Sequence, residues 1–389
     1  MSERASPLVV IHFMRTYGTH GGEQQLSQYF GAEPRGRVRE AFMFLYRDDE
    51  CARLFRSRAP ALEQSTLWSL PLKPRGAWAE FARLILKLPL LQARFMRFVR
   101  RAGAGVCVVH GFQAAVVAWP VAVFHHKIHW VYVHRITKSH AGSNRCFRLL
   151  YWPYHAVAGN SHAVVASLAR LVPTRRLVVL ENGLDWRRFL TRANAAPDAP
   201  LPDANGPVIV AVGRLLPHKG QDLVIDAFVR AAALDPRVVL WVVGEGPAEA
   251  ELRARASASA VADRICFFGR RSDVPAILAR ATIFTHASSL EGMSNAVLEG
   301  MAAGLASVVA DAPGVSECHH HEVTALVVAR EVGALADGFK RLLTDQELRT
   351  RMGAAARARV LDSYSMEANR RKYLKLFEQL TGRTVCVES

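Results

Sequence analysis

Short runs rich in Val, Ile and Leu alternate with longer helical stretches along most of the chain, and this alternation limits the folds open to it. Runs of this length are typical of strands that are buried on both faces, as in parallel sheets covered by helices. A chain of 389 residues can form two such domains. The sequence therefore predicts an α/β fold with two parallel sheets.

The predicted strands fall into two sets of six. In the first half they are 8–14, 41–46, 106–110, 128–134, 156–159 and 177–180. In the second half they are 208–212, 238–243, 265–268, 283–285, 307–310 and 325–328. The helices predicted in the second half are 221–234, 248–258, 273–279, 294–303, 333–343, 345–360 and 366–380.

A segment rich in Ala, Pro, Asp and Asn separates the two sets of strands. Residues 191–206 read TRANAAPDAPLPDANG and lack apolar periodicity, which is typical of a linker. We predict an N-terminal domain over 1–190, a linker over 191–206 and a C-terminal domain over 207–365. Because ligands of open parallel sheets bind outside the carboxyl ends of the strands, the two sheets are expected to face a central cleft.

Positive charge is concentrated in the first half of the chain. Residues 1–190 carry 27 Lys and Arg against 11 Asp and Glu, whereas residues 191–389 carry 23 of each. No acidic residue occurs between Phe81 and Leu180. The pattern indicates an anionic partner, such as a lipid headgroup surface, a phosphorylated acceptor or nucleic acid. A basic solvated surface in an arginine-rich protein would produce the same pattern.

Cysteine spacing and hydropathy argue against several classes of protein. The six cysteines are scattered and form no Cys-x-x-Cys pair, so we expect neither a metal or redox cluster nor a disulfide framework, and a reducing cytoplasm is the simplest setting. No run of eighteen apolar residues occurs, and the first apolar run, 8–14, is too short for a signal peptide core. We therefore expect no membrane-spanning helix.

The strongest local signal is EGMSNAVLE, residues 291–299, which follows a predicted strand and begins a predicted helix. Gly292 allows close approach of a ligand to the backbone, and the amides at a helix N-terminus attract anions. Glu291 and Glu299 are separated by roughly 12 Å if both lie on a helix. One carboxylate could then bind sugar hydroxyls and the other ribose hydroxyls. Two helix-surface acids beside a helix start are the alternative.

A second signal is VGRLLPHKG, residues 212–220, after the first strand of the second half. It places Arg214 and Lys219 on one loop, where two cations can neutralise a diphosphate leaving group. No Asp-x-Asp metal motif occurs, and the adjacent histidines 319–321 cannot all face one ion. We expect no metal and no cofactor. An ordinary basic loop is the alternative.

A basic apolar stretch occupies residues 73–101, with eight Lys or Arg and one Glu among large apolar residues. Because Pro89 interrupts it, the stretch predicts two short amphipathic helices with cationic rims. Such helices can lie on an anionic membrane. Ordinary packing on the first sheet, with arginines extending to solvent, is the alternative.

Taken in order, these motifs resemble the retaining glycosyltransferases of family 4. That family has the GT-B fold, an α/β fold with two Rossmann-like domains whose parallel sheets face a central cleft. The resemblance covers nearly the whole second half and extends into the first. It is carried by Gly213-Arg214, Lys219-Gly220, Val243 to Pro247, Phe268-Gly269, the 291–299 run, Glu181 to Asp185, and Phe189.

The resemblance implies donor-binding roles in the second half. Arg214 and Lys219 would bind the donor diphosphate, Glu299 the ribose, and Glu291 the donor sugar. Arg214, Lys219 and Glu291 are also catalytic candidates. The other donor-contact candidates are Gly292, Met293, Ser294, Arg270 and Arg271.

The resemblance also implies roles in the first half. Gly21 and Gly22, within the Gly-rich segment 18–23, match the loop that closes over the donor phosphates. His134 matches the family histidine that reaches the reacting sugar, and it is the fourth catalytic candidate. His110 ends the preceding strand, as is also common in the family. Residues 366–389 would form a helix that returns to the N-terminal domain.

On this resemblance we expect a retaining, metal-independent hexosyltransferase. It would transfer a sugar from a UDP- or GDP-sugar to a lipid-linked or lipopolysaccharide-type saccharide in cell-surface polysaccharide biosynthesis. It would be cytoplasmic and peripheral at the inner face of the membrane. We expect no nucleic acid partner, because no binding motif or aromatic stacking run occurs. The alternatives are a nucleotide-sugar epimerase of the same fold and a non-catalytic nucleotide-sugar-binding protein.

Overall fold

The computed structural model describes residues 6–16, 21–31, 38–71, 77–135, 144–202 and 205–385. Within these ranges the strands are β1 (Leu8–Met14), β2 (Val38–Arg47), β3 (Glu63–Pro71), β4 (Val106–His110), β5 (His129–His134), β6 (Ala156–Gly159), β7 (Leu177–Val179), β8 (Val208–Val212), β9 (Val239–Val243), β10 (Ile265–Phe267), β11 (Ile283–His286), β12 (Ala306–Ala310) and β13 (Leu326–Val328). The α-helices are α1 (Gly21–Gly31), α2 (Asp49–Arg58), α3 (Ala77–Ala102), α4 (Phe112–Phe124), α5 (Asn144–Tyr151), α6 (His162–Leu168), α7 (Trp186–Ala193), α8 (Gln221–Ala231), α9 (Glu249–Ser257), α10 (Val274–Leu278), α11 (Asn295–Ala302), α12 (Val332–Thr344), α13 (Gln346–Ser363) and α14 (Met366–Thr381).

The chain divides into two compact units. The first contains residues up to Gly183 together with residues from Met366 onward, and the second runs from Leu184 to Ser365. The division therefore falls before α7, whereas the sequence suggested a boundary at 190. Phe189, on α7, lies in an apolar cluster with residues of the second sheet, which explains why this helix belongs to the second unit.

Each unit is built on one parallel sheet. The first has the strand order β3-β2-β1-β4-β5-β6-β7, and the second has β10-β9-β8-β11-β12-β13. All pairings between these strands are parallel. The order reverses between β1 and β4 in the first sheet and between β8 and β11 in the second. In open α/β sheets, ligands bind outside the carboxyl ends of strands at such a reversal.

Helices cover both faces of each sheet, and the strand sequences show why. β8 reads VIVAV and is buried along its whole length. Its alternate side chains point to opposite faces, so Ile209 joins one apolar cluster while Val208 and Val210 join another. Strands that are buried on both faces need continuous apolar runs, and this is the pattern that predicted the α/β fold.

Two elements differ from the sequence-based expectation. β3 was not predicted, because its sequence EQSTLWSLP carries several polar residues and lacks a continuous apolar run. The prediction of two helices around Pro89 was wrong, since α3 is one 26-residue helix that contains this proline. Leu84, Leu91 and Phe95 are buried on both sides of Pro89, and their packing offsets the hydrogen bond that proline cannot make.

A buried ion pair attaches the last helix to the first sheet. Arg370 of α14 donates to Glu40 of β2 at 2.7 Å, and both side chains are less than one-tenth exposed. Tyr29 of α1 donates its hydroxyl to the other Glu40 oxygen at 2.6 Å, and its ring lies beneath the Arg370 guanidinium. The aromatic rings of Tyr373 and Tyr29 also pack together. α14 is thus held by both charge and apolar contacts.

Candidate functional site

The strand-order reversal of the second sheet brings together two loops that are far apart in sequence. The loop after β8 contains Arg214 and Lys219, and the loop after β11 contains Glu291. β8 and β11 are directly paired, so these loops leave the same edge of the sheet side by side. The His218 carbonyl, on the first loop, accepts a hydrogen bond from the Ser289 amide of the second at 2.8 Å.

Glycines allow these loops to touch. Gly220 has φ +74°, and a Cβ there would lie 2.2 Å from the Ala287 carbonyl oxygen. Gly244, after β9, has φ +142°, and a Cβ there would lie 1.9 Å from the Gly213 oxygen. No other residue type fits at either position without backbone movement. The glycines therefore fix the backbone that carries Lys219.

The central feature of the site is an ion pair between Lys219 and Glu291. The Lys219 ammonium donates to Oε1 of Glu291, and the two side chains are only 15% and 13% exposed. His286, at the end of β11, approaches the same oxygen with Nε2 at 3.0 Å. Its ring is 4% exposed. The carboxylate is thus held between an ammonium and an imidazole in a largely water-shielded place.

This environment decides the charge of Glu291. Burial raises the pKa of its carboxyl, but the hydrogen bond and charge of His286 and the charge and hydrogen bond of Lys219 outweigh burial and bring the pKa to about 2. The group is therefore ionised at neutral pH. An ionised carboxylate only accepts hydrogen bonds, so both neighbours must donate to it. His286 was missed in the sequence, because the predicted strand ended at Thr285.

The helix start beside Glu291 differs in detail from the prediction. α11 begins at Asn295, so Glu291 lies in the preceding loop and the helical spacing assumed for Glu291 and Glu299 was wrong. Ser294 occupies the N-cap position, but its side chain makes no capping bond; its Oγ lies 3.3 Å from His286 Nε2. Glu299 lies within α11 and is half-buried. Gly292 and Met293 lie in the loop between Glu291 and the cap.

A positive field surrounds this site. Burial lowers the pKa of His218, the positive charges of Lys219, Arg214 and Arg330 add to the effect, and Glu291 opposes it. Arg214 is exposed. Arg330, which follows β13, donates to the Ala287 carbonyl at 2.9 Å and is anchored to the β11 loop. Cations from two loops, one after β8 and one after β13, therefore lie within electrostatic range of His218, as an anion-binding site requires.

The two arginines after β10 have different environments. Arg271 is mostly buried and forms a two-pronged pair with Asp273, at 2.8 and 2.6 Å. It also donates to the Ala199 carbonyl, so it fastens part of the predicted linker to the second unit. Arg270 is more than half exposed and lies 3.8 Å from Glu245. The donor-binding role suggested for both arginines stays a prediction.

The candidates in the first unit lie at the carboxyl edge of its sheet. Gly21 and Gly22 begin α1, while residues 17–20 of the predicted glycine loop are outside the described ranges. His134 ends β5, and its Nδ1 lies 3.5 Å from the Tyr132 hydroxyl. Arg135 reaches toward Gly22, where a Cβ would lie 3.9 Å from its Cδ. The roles suggested for Gly21, Gly22 and His134 stay predictions.

His110 belongs to the buried polar cluster of the first unit. Its Nε2 lies 3.2 Å from Nδ1 of His12, and the two rings are stacked. Burial, then the charges of Arg135 and His12, hold the pKa of His110 well below its usual value. Burial also lowers the pKa of His12, against the influence of Glu40. Both rings are therefore neutral at neutral pH.

The part of the chain that the structure describes lacks two kinds of feature. None of its helices is both long and apolar enough to cross a membrane. No group of three or more His, Cys, Asp or Glu side chains among the same residues is arranged to hold a metal ion. The expectation of a metal-independent site stays a prediction.

Two Rossmann-like units, each built on one parallel sheet, define the GT-B fold. The Anabaena Alr3699/HepE structure in complex with UDP is similar, with a TM-score of 0.78, 18% identity, and 96% and 100% of the two chains covered. A glycosyltransferase structure from Rickettsia africae has the same TM-score at 14% identity, with 96% and 98% covered. At these levels of sequence identity, the similarity of the structures shows a shared fold.

Sequence comparison defines the family. The family of glycosyl transferases group 1 matches residues 194–359. LpsD of Rhizobium meliloti, a lipopolysaccharide core biosynthesis glycosyltransferase, is 30% identical over 257 residues, which are 63% of this chain and 72% of LpsD. A second relative is the GDP-mannose-dependent alpha-(1-6)-phosphatidylinositol monomannoside mannosyltransferase of Mycobacterium tuberculosis. It is 33% identical over 199 residues, which are 48% of this chain and 51% of the mycobacterial protein. The chain belongs to the glycosyl transferases group 1 family.

Proposed function

We propose that this protein is a retaining, metal-independent glycosyltransferase of family 4. It transfers a hexose from a UDP- or GDP-sugar to a lipid-linked or lipopolysaccharide-type saccharide. The observation that carries the proposal is the Lys219–Glu291 pair at the strand-order reversal of the second sheet, where a cation and a carboxylate can receive the two halves of such a donor.

In this proposal the second unit holds the donor. The diphosphate lies against Lys219 and Arg214, whose charges offset the negative charge that grows as the bond to the sugar breaks. Glu291 binds hydroxyls of the donor sugar, and Glu299 binds the ribose. The UDP and UDP-glucose complexes of the Anabaena protein support a nucleotide diphosphate-sugar as donor. The mycobacterial relative is GDP-mannose-dependent, so the proposal includes both UDP-sugars and GDP-sugars as donors.

Transfer proceeds on the face from which the diphosphate leaves. The acceptor oxygen bonds to C1 of the donor sugar as the bond from C1 to the diphosphate oxygen breaks. The acceptor hydroxyl proton passes to that diphosphate oxygen, so no enzyme carboxylate has to become covalently attached to the sugar. The engagement of Glu291 with Lys219 and His286 supports this route, because it favours a binding role over attack on C1.

The acceptor is proposed to be a saccharide carried on a lipid. LpsD functions in lipopolysaccharide core biosynthesis, and the mycobacterial relative acts on phosphatidylinositol monomannoside. A basic first half suits an acceptor or a surface that bears phosphate groups. The relatives and the charge distribution thus support the same class of acceptor.

Helix α3 supports a peripheral position at an anionic membrane. Its Ile85, Leu86 and Leu90 side chains are 46%, 82% and 50% exposed, and Arg94 and Arg97 are exposed on the same helix. Apolar side chains beside cations are the combination that inserts at a headgroup boundary. We propose that this part of α3 contacts the membrane that carries the acceptor.

Co-sedimentation with vesicles of phosphatidylcholine and phosphatidylglycerol tests the membrane proposal. We expect the protein to pellet with anionic vesicles at low salt and to be released at high salt, because headgroup attraction is screened. Leu86→Ser should weaken binding several-fold. Leu234→Ser, at a leucine of the second unit that is 50% exposed, should not. Equal binding by both variants, or no binding at low salt, would contradict the proposal.

A ligand screen followed by a transfer assay tests the function. UDP- or GDP-sugars should raise the melting temperature in the presence of EDTA, since a ligand stabilises the state that binds it. Lys219→Ala should lose this effect, whereas Lys340→Ala, at an exposed lysine of the same unit, should keep it. The stabilising donor is then incubated with lipid-linked saccharides, and the anomeric configuration of the product is read by NMR. Binding without transfer would reject the enzyme, and an inverted product would reject retention.

A further inference from the structure

His286 is a buried polar side chain that the proposed mechanism has not yet used. It ends β11, five residues before Glu291, and its ring packs parallel to that of Phe284. The ring also packs beside Gly213, where a Cβ would lie 3.8 Å from its Cε1, an ordinary contact distance. A histidine fixed in this way cannot move far to accommodate a neighbour.

The geometry gives this ring a definite hydrogen-bonding role. Nε2 lies 3.0 Å from Oε1 of Glu291 and 3.3 Å from Oγ of Ser294. Because the carboxylate only accepts, Nε2 must carry a proton and donate it. The contact with Ser294, at the N-cap of α11, connects the same ring nitrogen to the helix start. The ring thus ties Glu291 to both the sheet and the helix.

Lys219 and His286 share one oxygen of the carboxylate, and this sharing matters when the donor binds. Both approach Oε1 of Glu291. If Lys219 turns toward an anionic diphosphate, as the proposed function requires, the carboxylate loses the donation from the ammonium. The donation from His286 remains, because it is built on a strand end and does not depend on the ligand.

We propose that His286 is a positioning residue, which holds the Glu291 carboxylate in its reactive orientation while Lys219 engages the donor. This inference rests on the proposed function of the same site. It assigns to His286 a hydrogen bond to Glu291 and no direct contact with the substrate.

Three substitutions separate a hydrogen bond from packing. In His286→Gln the terminal amide reaches about as far as Nε2, so the donor is retained. In His286→Asn the amide reaches only about as far as Nδ1, so the donor is lost. In His286→Leu the apolar volume remains but no donor does. His320→Leu, at an exposed histidine of the same unit, is the matched control.

Steady-state transfer and nucleotide binding are measured for all four variants. The free energy of a hydrogen bond to a charged group corresponds to a change in rate of about 10- to 100-fold. We therefore expect kcat to fall by this factor in the Leu and Asn variants. The Gln variant should stay within about 3-fold of wild type, as should His320→Leu. The dissociation constant of UDP or GDP should change less than about 3-fold throughout. Equal kcat values for the Leu and Gln variants would overturn the proposal.

A spectroscopic measurement keeps this inference separate from the proposed function. In protein labelled with ¹⁵N-histidine, the His286 signals are assigned as those missing from the His286→Gln spectrum. We expect Nε2 to be protonated and hydrogen-bonded, and its shift to change in Glu291→Gln. A His286 ring with an unprotonated Nε2 would refute the inference even if transfer occurs. The expected spectrum from a protein that transfers no sugar would reject the function alone.

Discussion

Replacing Arg370 by methionine removes the positive partner of a carboxylate that lies inside the first unit. Arg370 and Glu40 are 6% and 8% exposed and pair at 2.7 Å, although they are 330 residues apart in the chain. After Arg370→Met, Glu40 keeps the Tyr29 hydroxyl and the distant Nε2 of His12, at 3.6 Å, but no full positive charge. The variant therefore leaves a buried, uncompensated carboxylate.

The loss of stability expected in Arg370→Met follows from the buried ion pair and from the pKa of Glu40. Breaking a buried ion pair by removing one partner typically costs about 3–5 kcal/mol. Independently, burial raises the pKa of Glu40, but the hydrogen bond of His12, the charge of Arg370 and the remaining contacts bring it from 4.5 to about 2. That depression corresponds to about 3 kcal/mol for all of these contacts together, at about 1.4 kcal/mol for each tenfold change in proton affinity, so Arg370 supplies only part of it and the ion-pair value sets the expected cost. We expect Arg370→Met to destabilise the first unit by about 3 kcal/mol.

A double-mutant cycle in urea measures this value. Glu40→Gln should cost a similar amount, because it leaves Arg370 charged. The double variant should cost much less than the sum of the two, since no charge is then buried alone. Hydrogen exchange of the α14 peptides, measured alongside the urea transition, assigns the loss of stability to the first unit.

An exposed neighbour provides the control for this cycle. Arg371→Met, on the same helix, should change stability by less than about 0.5 kcal/mol. A loss below about 1 kcal/mol in Arg370→Met, with α14 protected as in wild type, would refute the reasoning. It would mean that apolar packing alone holds the helix.

Three further predictions concern charge and catalysis. The pKa of Glu40 is depressed in the folded chain, so ionised Glu40 stabilises the fold above about pH 4.5, and this contribution is lost as the pH falls toward 2. In urea titrations, the difference in unfolding free energy between wild type and Glu40→Gln should therefore become smaller below about pH 4.5. Lys219→Ala and Glu291→Ala should each reduce the transfer rate more than about 100-fold while circular dichroism remains that of wild type, since both act on charge at the reacting centre; near-normal turnover in both would contradict the site assignment. Treatment with EDTA should leave the transfer rate unchanged, and loss of activity that Mg²⁺ or Mn²⁺ restores would show that a metal takes part.

The fold class could be predicted because it depends on local patterns. Twelve of the thirteen described strands were predicted to within a few residues, since a strand buried on both faces has to be apolar along its length. β3 begins with the polar residues EQST and lacks such an apolar run. In α3 the local pattern was misleading. A proline inside a helix usually breaks it, but buried side chains on both sides of Pro89 keep this helix continuous.

The candidate site could be predicted in part. Arg214, Lys219 and Glu291 stand out because strand, loop and helix start follow one another within a few residues. His286 does not stand out, because a histidine at the end of a strand is common and its partner is identified by geometry rather than by sequence. Its position one residue after the predicted strand, and five before Glu291, was the signal that could have indicated it.

By itself, the sequence determined most of the segments that become strands, and which loops carry the charged residues of the site. Tertiary structure decided the partners: Lys219 meets Glu291 across 72 residues, and Arg370 meets Glu40 across 330. Strand order, which no local pattern specifies, places the β8 and β11 loops side by side. Burial raises the pKa of Glu291 and Glu40, but the positive charges and hydrogen-bond donors around each carboxylate outweigh burial and leave both carboxylates charged.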